Sequence, residues 1–116
     1  MPAQNPDIVA LYNSLCAQQD TLSAAIQTTT DPQLAGTIAT EIQEIAHRIV
    51  LVQNFLFSAD SPKLTAAVNG VNAASKNLTT AIAELQQVTG FLNSVSAYLT
   101  CVDSAIDLAK TLAAAA

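Results

Sequence analysis

Hydrophobic residues recur along this chain at alternating steps of three and four positions, the spacing of one face of an α-helix. The clearest case is the segment from Pro32 to Phe57, where the pattern continues over three heptads. Its apolar positions are Leu34, Ile38, Ile42, Ile45, Ile49, Val52 and Leu56. A seam of this kind is typical of a helix that packs lengthwise against other helices.

Prolines mark the predicted beginnings of three helices. In Asn5-Pro6, Asp31-Pro32 and Ser61-Pro62, a capping side chain precedes a proline at the first helical position, where the missing N–H is not needed. The first helix has one apolar stripe that Gln18 interrupts. Its members are Ile8, Leu11, Leu15, Leu22 and Ile26.

The third segment runs from Pro62 to about Leu112 without another proline. Its stripe changes phase at Leu85, where two three-residue steps follow each other, and Gly90 comes soon after. The first part of the stripe is Leu64, Val68, Val71, Ser75, Leu78, Ile82 and Leu85. The second part is Val88, Leu92, Val95, Leu99, Val102, Ile106 and Ala109.

These patterns predict an all-α, antiparallel helical bundle in a single domain over residues 1–116. One architecture has four helices, at about 6–28, 32–57, 62–88 and 91–112, with a left-handed Gly90 closing the third and Asn93 capping the fourth. The other has two shorter helices plus one long continuous helix, half of whose stripe another chain must cover. Matched segment lengths favour the first, and the sparse turn chemistry around Gly90 favours the second.

The composition and the net charge limit which partners the protein is expected to bind and which residues are expected to form its core. The net charge is −5 and the four basic residues are scattered, so nucleic acid is not an expected partner. Aromatic residues make up only 4% of the chain, which predicts a core of Ala, Leu, Ile and Val. No cleavable signal peptide is visible, so we expect a cytoplasmic or leaderless secreted protein.

The candidate chemical motifs have simpler structural interpretations. Glu44 and His47 have the Glu-x-x-His spacing of di-iron bundles, but His47 is the only histidine and the seam places both on the outer face. We instead expect Glu44 to pair with Arg48 one turn later. Asp103 continues a solvated polar stripe. No nucleophile motif or glycine-rich loop is present, so we expect no enzyme activity, cofactor or metal.

A second apolar face suggests a role in association. Beyond Arg48 the second helix is apolar nearly all round, and one partner helix cannot cover both faces. We therefore predict a non-enzymatic interaction module that self-associates or docks onto another helical protein by burying apolar stripes. The predicted partner-binding residues are Val50, Leu51, Phe55, Phe57, Val88, Leu92, Val95, Leu99, Val102 and Ile106.

The alternative is a membrane-active or lipid-surface helical protein of the pore-forming component type. It rests on the 18 uncharged residues from Leu85 to Val102, on a shorter uncharged stretch from Ile49 to Ala59, and on a mean hydropathy of +0.36. Many Ser, Thr, Asn and Gln side chains within the longer stretch favour a buried bundle helix instead. Cys16 and Cys101 are expected to be buried free thiols, although the sequence leaves their pairing open.

Overall fold

The computed structural model of the chain describes residues 4–85 and 88–115, and the secondary structure of this part is helical. Four helices follow one another: α1 (Pro6–Thr28), α2 (Pro32–Gln53), α3 (Pro62–Ala83) and α4 (Val88–Ala115). The predicted all-α bundle is confirmed, in its four-helix form. The predicted third helix, 62–88, crosses residues 86 and 87, which lie outside the described residues.

The break between the last two helices comes earlier than Gly90. Helix α3 ends at Ala83, and Glu84 leaves helical geometry with φ −117° and ψ 48°. Gly90 then lies within the first turn of α4, and none of the described glycines has a positive φ. The predictions of a left-handed Gly90 and of a cap at Asn93 were therefore wrong. The helix ends where the apolar stripe changes phase. A continuous helix would turn the following apolar residues away from the face that the preceding ones cover.

The proline-marked starts are confirmed. Asn5, Asp31 and Ser61 are the N-caps of α1, α2 and α3, and each side chain accepts a hydrogen bond from a backbone N–H of the first turn. Helix α2, however, ends at Gln53 and not at Phe57. Residues 54–57 form turns, in which the N–H of Phe55 donates to the carbonyl of Val52, three residues back.

The helices occupy the corners of a square. Helix α1 neighbours α2 and α3, and α4 also neighbours α2 and α3, so α2 and α3 lie on a diagonal. The short links within the α1–α2 and α3–α4 hairpins make their helices antiparallel. Contacts from Asp7 to Thr65 and from Gln18 to Thr79 advance together along α1 and α3, so these two helices are parallel, as are α2 and α4. The result is an elongated bundle of 48 × 22 × 18 Å.

The apolar stripes predicted for α1, α2 and α3 lie in the core as expected. In α4 the buried face is rotated relative to the predicted stripe. The buried side chains of α4 are Phe91, Val95, Tyr98, Val102, Ala105, Ile106 and Ala109. Val88 and Leu92, which were assigned to the stripe, remain 40% exposed. Phe91 and Tyr98 take the inward positions because large rings gain most from leaving water. The expectation of a core without aromatic residues is corrected by the same observation.

The two polar interruptions of the apolar stripes meet each other across α1 and α3. The Gln18 side chain is buried, and its Nε2 donates to Ser75 Oγ at 2.7 Å, to the Ser75 carbonyl at 3.1 Å and to Thr79 Oγ1 at 3.0 Å. Gln18 Oε1 has no partner among the described residues. The amide therefore joins the two hairpins at mid-length, inside an otherwise apolar core.

The segment that links α2 to α3 crosses the end of the bundle and is held there by Asn5. This side chain is only 3% exposed. Its Oδ1 caps α1, while its Nδ2 donates to the carbonyls of Ser58 at 3.3 Å and Ala59 at 3.1 Å. Its backbone N–H donates to the carbonyl of Leu56 at 2.7 Å. One residue thus closes a helix end and fixes the crossover.

We expect Asn5→Ala to lower the free energy of unfolding by about 2 kcal/mol, the upper end of the range for a lost N-cap, since the crossover contacts are lost as well. Asp31→Ala is the matched control, because this exposed cap accepts only from the N–H of Gln33. It should cost about 1 kcal/mol or less. Urea unfolding followed by circular dichroism measures both. Equal losses in the two variants would contradict the crossover role of Asn5.

Tyr98 makes stability depend on alkaline pH. Burial raises the pKa of its phenol to about 12, although the hydrogen bond with Ser14 Oγ at 2.9 Å acts in the opposite direction. In the unfolded chain tyrosine ionises near pH ~10. The stabilisation is therefore complete below pH ~10 and is lost as the pH rises towards ~12, by about 2 kcal/mol. Unfolding measured at several pH values should show this loss in the wild type and not in Tyr98→Phe.

Candidate functional site

A groove between α2 and α4 is one of several open depressions on the bundle, and its lining combines apolar side chains with four charged ones. Its volume is about 480 Å³. The lining side chains of α2 are Thr40, Glu41, Glu44 and Arg48, and those of α4 are Leu92, Val95, Ser96, Leu99, Thr100 and Asp103. From Leu92 to Asp103 the groove follows α4 for about 16 Å, or three helical turns.

The groove exists because α2 and α4 approach each other least of the four neighbouring helix pairs. Helices α3 and α4 approach each other most. On α2 the facing positions carry the long charged side chains of Glu41, Glu44 and Arg48. Burying these charges would require removing their water, so the two backbones stay apart and leave room for solvent.

The floor and the walls of the groove differ in polarity. Val95 lies at the bottom and is buried, Leu99 is half-buried, and Leu92 is 40% exposed. These three apolar side chains follow one another at steps of three and four residues along α4. The polar wall is formed from α2. The arrangement is an apolar strip beside a charged one, which is typical of a surface that meets another amphipathic element.

Arg48 ties the two sides of the groove together. Its Nε and Nη2 donate to Asp103 Oδ1 at 2.8 Å and to Oδ2 at 3.0 Å, and its Nη1 donates to Glu44 Oε2 at 3.1 Å. The side chain is only 13% exposed. The bidentate bond to Asp103 is the main reason that the pKa of Arg48 rises above its ordinary value. The predicted pair of Glu44 and Arg48 is confirmed, and Asp103 completes it.

Glu41 differs from the other two carboxylates of the groove. None of the ion pairs found within residues 4–85 and 88–115 involves it. Burial raises the pKa of Glu41 above the usual value, the negative charge of Glu44 raises it further, and Arg48 only partly opposes them. In the free protein, the ionised Glu41 is thus a half-buried charge whose compensation is incomplete.

The predicted partner-binding residues of α4 divide into two groups. Val95, Val102 and Ile106 belong to the core of the chain itself and are at most 3% exposed. All three pack against the chain's own helices, and of the three Val95 also lines the groove from beneath. Val102 and Ile106 are not available as an outer surface, which corrects their assignment. Val88 and Leu92 are exposed and Leu99 is half-buried. Rotation of α4 by the buried aromatic rings accounts for this division.

The predicted apolar face at the end of α2 is also divided. Leu51 and Phe55 pack partly against the core, whereas Val50 and Phe57 are each 61% exposed. These two lie at the crossover end of the bundle, and Val88 lies at the opposite end. The exposed apolar residues therefore do not form one continuous patch, and none of the α2 group lines the groove.

Other candidate chemistry is dispersed. Cys16 and Cys101 are half-buried, and both thiols are free. His47 is exposed on α2. Within the part of the chain that the structure describes, no three His, Cys, Asp or Glu side chains are placed to share a metal ion. In the same residues we find no helix with the length and apolar character that crossing a membrane requires.

Part of this site was predictable from the sequence. Leu92, Val95, Leu99 and the pair of Glu44 and Arg48 were identified, whereas Glu41 and the contact of Arg48 with Asp103 were missed. The helical spacing of Glu41, Glu44 and Arg48 was a usable signal, since it places them on one face of α2. No signal in the sequence joins that face to α4.

Comparisons with known proteins add no functional information: no protein-family model matches the chain, and no curated protein or solved structure is significantly similar to it.

The Arg48–Asp103 contact should contribute measurably to holding α2 against α4. In a double-mutant cycle of Arg48→Met and Asp103→Asn, we expect a coupling of about 1 kcal/mol, above that of ordinary surface pairs because the contact is bidentate and the guanidinium is largely covered. The matched cycle of Arg48→Met with Glu44→Gln should give about 0.3–0.5 kcal/mol. Urea unfolding provides the free energies. A coupling energy near zero between Arg48 and Asp103 would mean that this contact does not stabilise the packing of α2 against α4.

Proposed function

We propose that this protein is a non-enzymatic interaction module that binds a helix along the groove between α2 and α4. The observation that carries the proposal is the difference between the helix pairs. Neighbouring helices of the bundle close over a common core, whereas α2 and α4 stay apart and leave Leu92 and Leu99 partly uncovered. A guest helix would complete the cover that α2 does not provide.

The dimensions of the groove support a helical guest. Two parallel helices form its walls, and about three turns of α4 run along it. A helix placed there presents side chains at positions i, i+3 or i+4, and i+7, which matches the spacing of Leu92, Val95 and Leu99 on the floor. Helices meeting in this way pack the ridges of one into the grooves of the others.

The expected affinity is modest. The apolar contribution comes mainly from covering Leu92 and Leu99, which are already partly buried. Fully burying such a side chain contributes about 1.5–3 kcal/mol, and association entropy opposes it. The groove therefore suits reversible association with a guest that is already helical or nearly so.

The lipid-surface alternative receives no comparable support. From Val88 to Val102 the long uncharged stretch forms the first part of α4, where its bulkiest side chains, Phe91 and Tyr98, are buried in the core. Several exposed positions of this part are polar, including Asn93 and Ser96, although Val88 and Leu92 are exposed as well. The stretch is thus explained by packing within the bundle.

A display library of helical peptides tests the proposal. The peptides carry Leu at i, i+4 and i+7, with the remaining positions varied among Ala, Gln, Glu and Lys. We expect enriched peptides to bind the wild-type chain and to lose at least about tenfold in affinity for Leu92→Glu, because a carboxylate on the groove floor is left without water or partner. Titration calorimetry measures the affinities.

Val50→Glu is the matched control, since Val50 is more exposed than Leu92 and lies outside the groove. It should leave the affinity unchanged. Loss of binding in Val50→Glu but not in Leu92→Glu would place the site at the crossover end and contradict the groove. Failure to enrich any helix, in a chain that also stays monomeric in analytical ultracentrifugation, would refute the interaction module.

A further inference from the structure

We infer that the helix received by the groove belongs to another protein and carries a Lys or Arg side chain that pairs with Glu41. This inference rests on the proposed function and specifies the chemistry of the partner. It follows from the charges on the α2 wall, from the hydrogen bonds that Arg48 already makes, and from the surfaces that a second copy of the chain could offer.

The groove is acidic beyond what its own cation neutralises. Three carboxylates, those of Glu41, Glu44 and Asp103, line it together with a single guanidinium, that of Arg48. Arg48 already engages Asp103 with two nitrogens and Glu44 with the third. Four of its five N–H groups are therefore engaged by Asp103 and Glu44. None of the ion pairs of the described residues joins Arg48 to Glu41, which is left with longer-range attraction.

Glu41 lies where a guest helix would meet it. It is half-buried on the α2 wall, beside the apolar floor that contains Leu92 and Leu99. A guest that covered the floor would remove more water from Glu41, which is costly for an unpaired carboxylate. A cationic side chain one helical turn from the guest's apolar anchors would offset this cost. An acidic or neutral guest would have no such compensation.

A second copy of this chain does not provide the required side chains. Groove-to-groove contact around a twofold axis would bring the same acidic residues together and is disfavoured by like-charge repulsion. The lysines are Lys63, Lys76 and Lys110, and none lies within four residues of an exposed large apolar side chain among those described. Arg48 lies two residues from the exposed Val50, but it is already bonded to Asp103 and Glu44. The required combination of basic and apolar residues on one helix face therefore points to a different protein.

Two synthetic helical peptides test the inference. They share Leu anchors at i, i+4 and i+7 and differ only at one flanking position, Lys in one and Gln in the other, with the flanking position scanned over one helical turn. In the best register, we expect the Lys peptide to bind the wild type about five- to tenfold more tightly than the Gln peptide. On Glu41→Gln the difference should shrink to less than about twofold.

Two further measurements make the result specific to Glu41. Asp20→Asn removes one negative charge from an exposed position of α1 outside the groove, and it should leave the Lys preference intact. Glu41→Gln should also raise the stability of the free protein at neutral pH, because it removes a carboxylate whose charge the fold disfavours. Weaker binding by a more stable variant excludes misfolding as the reason.

The outcomes separate the two proposals. Equal affinity of the Lys and Gln peptides in every register would refute the basic partner while leaving the interaction module in place. No binding of either peptide in any register would count against both. Dimerisation of the chain that Leu92→Glu abolishes would assign the groove to a second copy and overturn the choice of another protein.

Discussion

The rotation of α4 about its own axis determines most of what is distinctive in this bundle, and the burial of two aromatic rings sets that rotation. Phe91 and Tyr98 lie seven residues apart and both are fully buried. With both rings inward, Leu92 and Leu99, one position further along, are carried to the edge of the core. There they face the space beside α2 rather than the centre, and the groove has an apolar floor as a result.

The two seams between the hairpins use polar residues in opposite ways. Between α1 and α3 the amide of Gln18 is drawn into the core and joined to Ser75 and Thr79. Between α2 and α4 the charged side chains are too costly to enclose, so the seam stays open and Arg48 bridges it at the surface. The seam between α1 and α3 is consequently closed by buried hydrogen bonds, whereas the seam between α2 and α4 is open to solvent.

Local signals in the sequence predicted the fold class, three helix starts and most of the core. Proline and capping residues act within a few positions of the chain, and so Asn5, Asp31 and Ser61 could be identified without knowing the neighbours. The phase of α4 was missed because Val88 and Leu92 continue the apolar spacing as well as Phe91 does. The stripe through Leu92 and the stripe through Phe91 have similar spacing. Which of them is buried depends on the size of the side chains that the core can enclose.

The candidate site was harder to predict because its parts are distant in sequence. Arg48 and Asp103 are 55 residues apart. Their meeting depends on the square arrangement that makes α2 and α4 parallel neighbours. The end of α2 at Gln53 was misjudged for a similar reason, since the apolar residues up to Phe57 serve the crossover and not a further helical turn.

The buried amide of Gln18 also bears on how the two hairpins find a single alignment. Apolar stripes repeat every turn, and two such stripes can slide past each other by about 5.4 Å with little change in contact. The Gln18 amide is bonded to Ser75 and Thr79 at the observed offset, and a slide of one turn would break these bonds. Breaking the hydrogen bonds of a buried polar group costs about 1–3 kcal/mol. The amide therefore favours the longitudinal position of the two hairpins at which Ser75 and Thr79 accept from it.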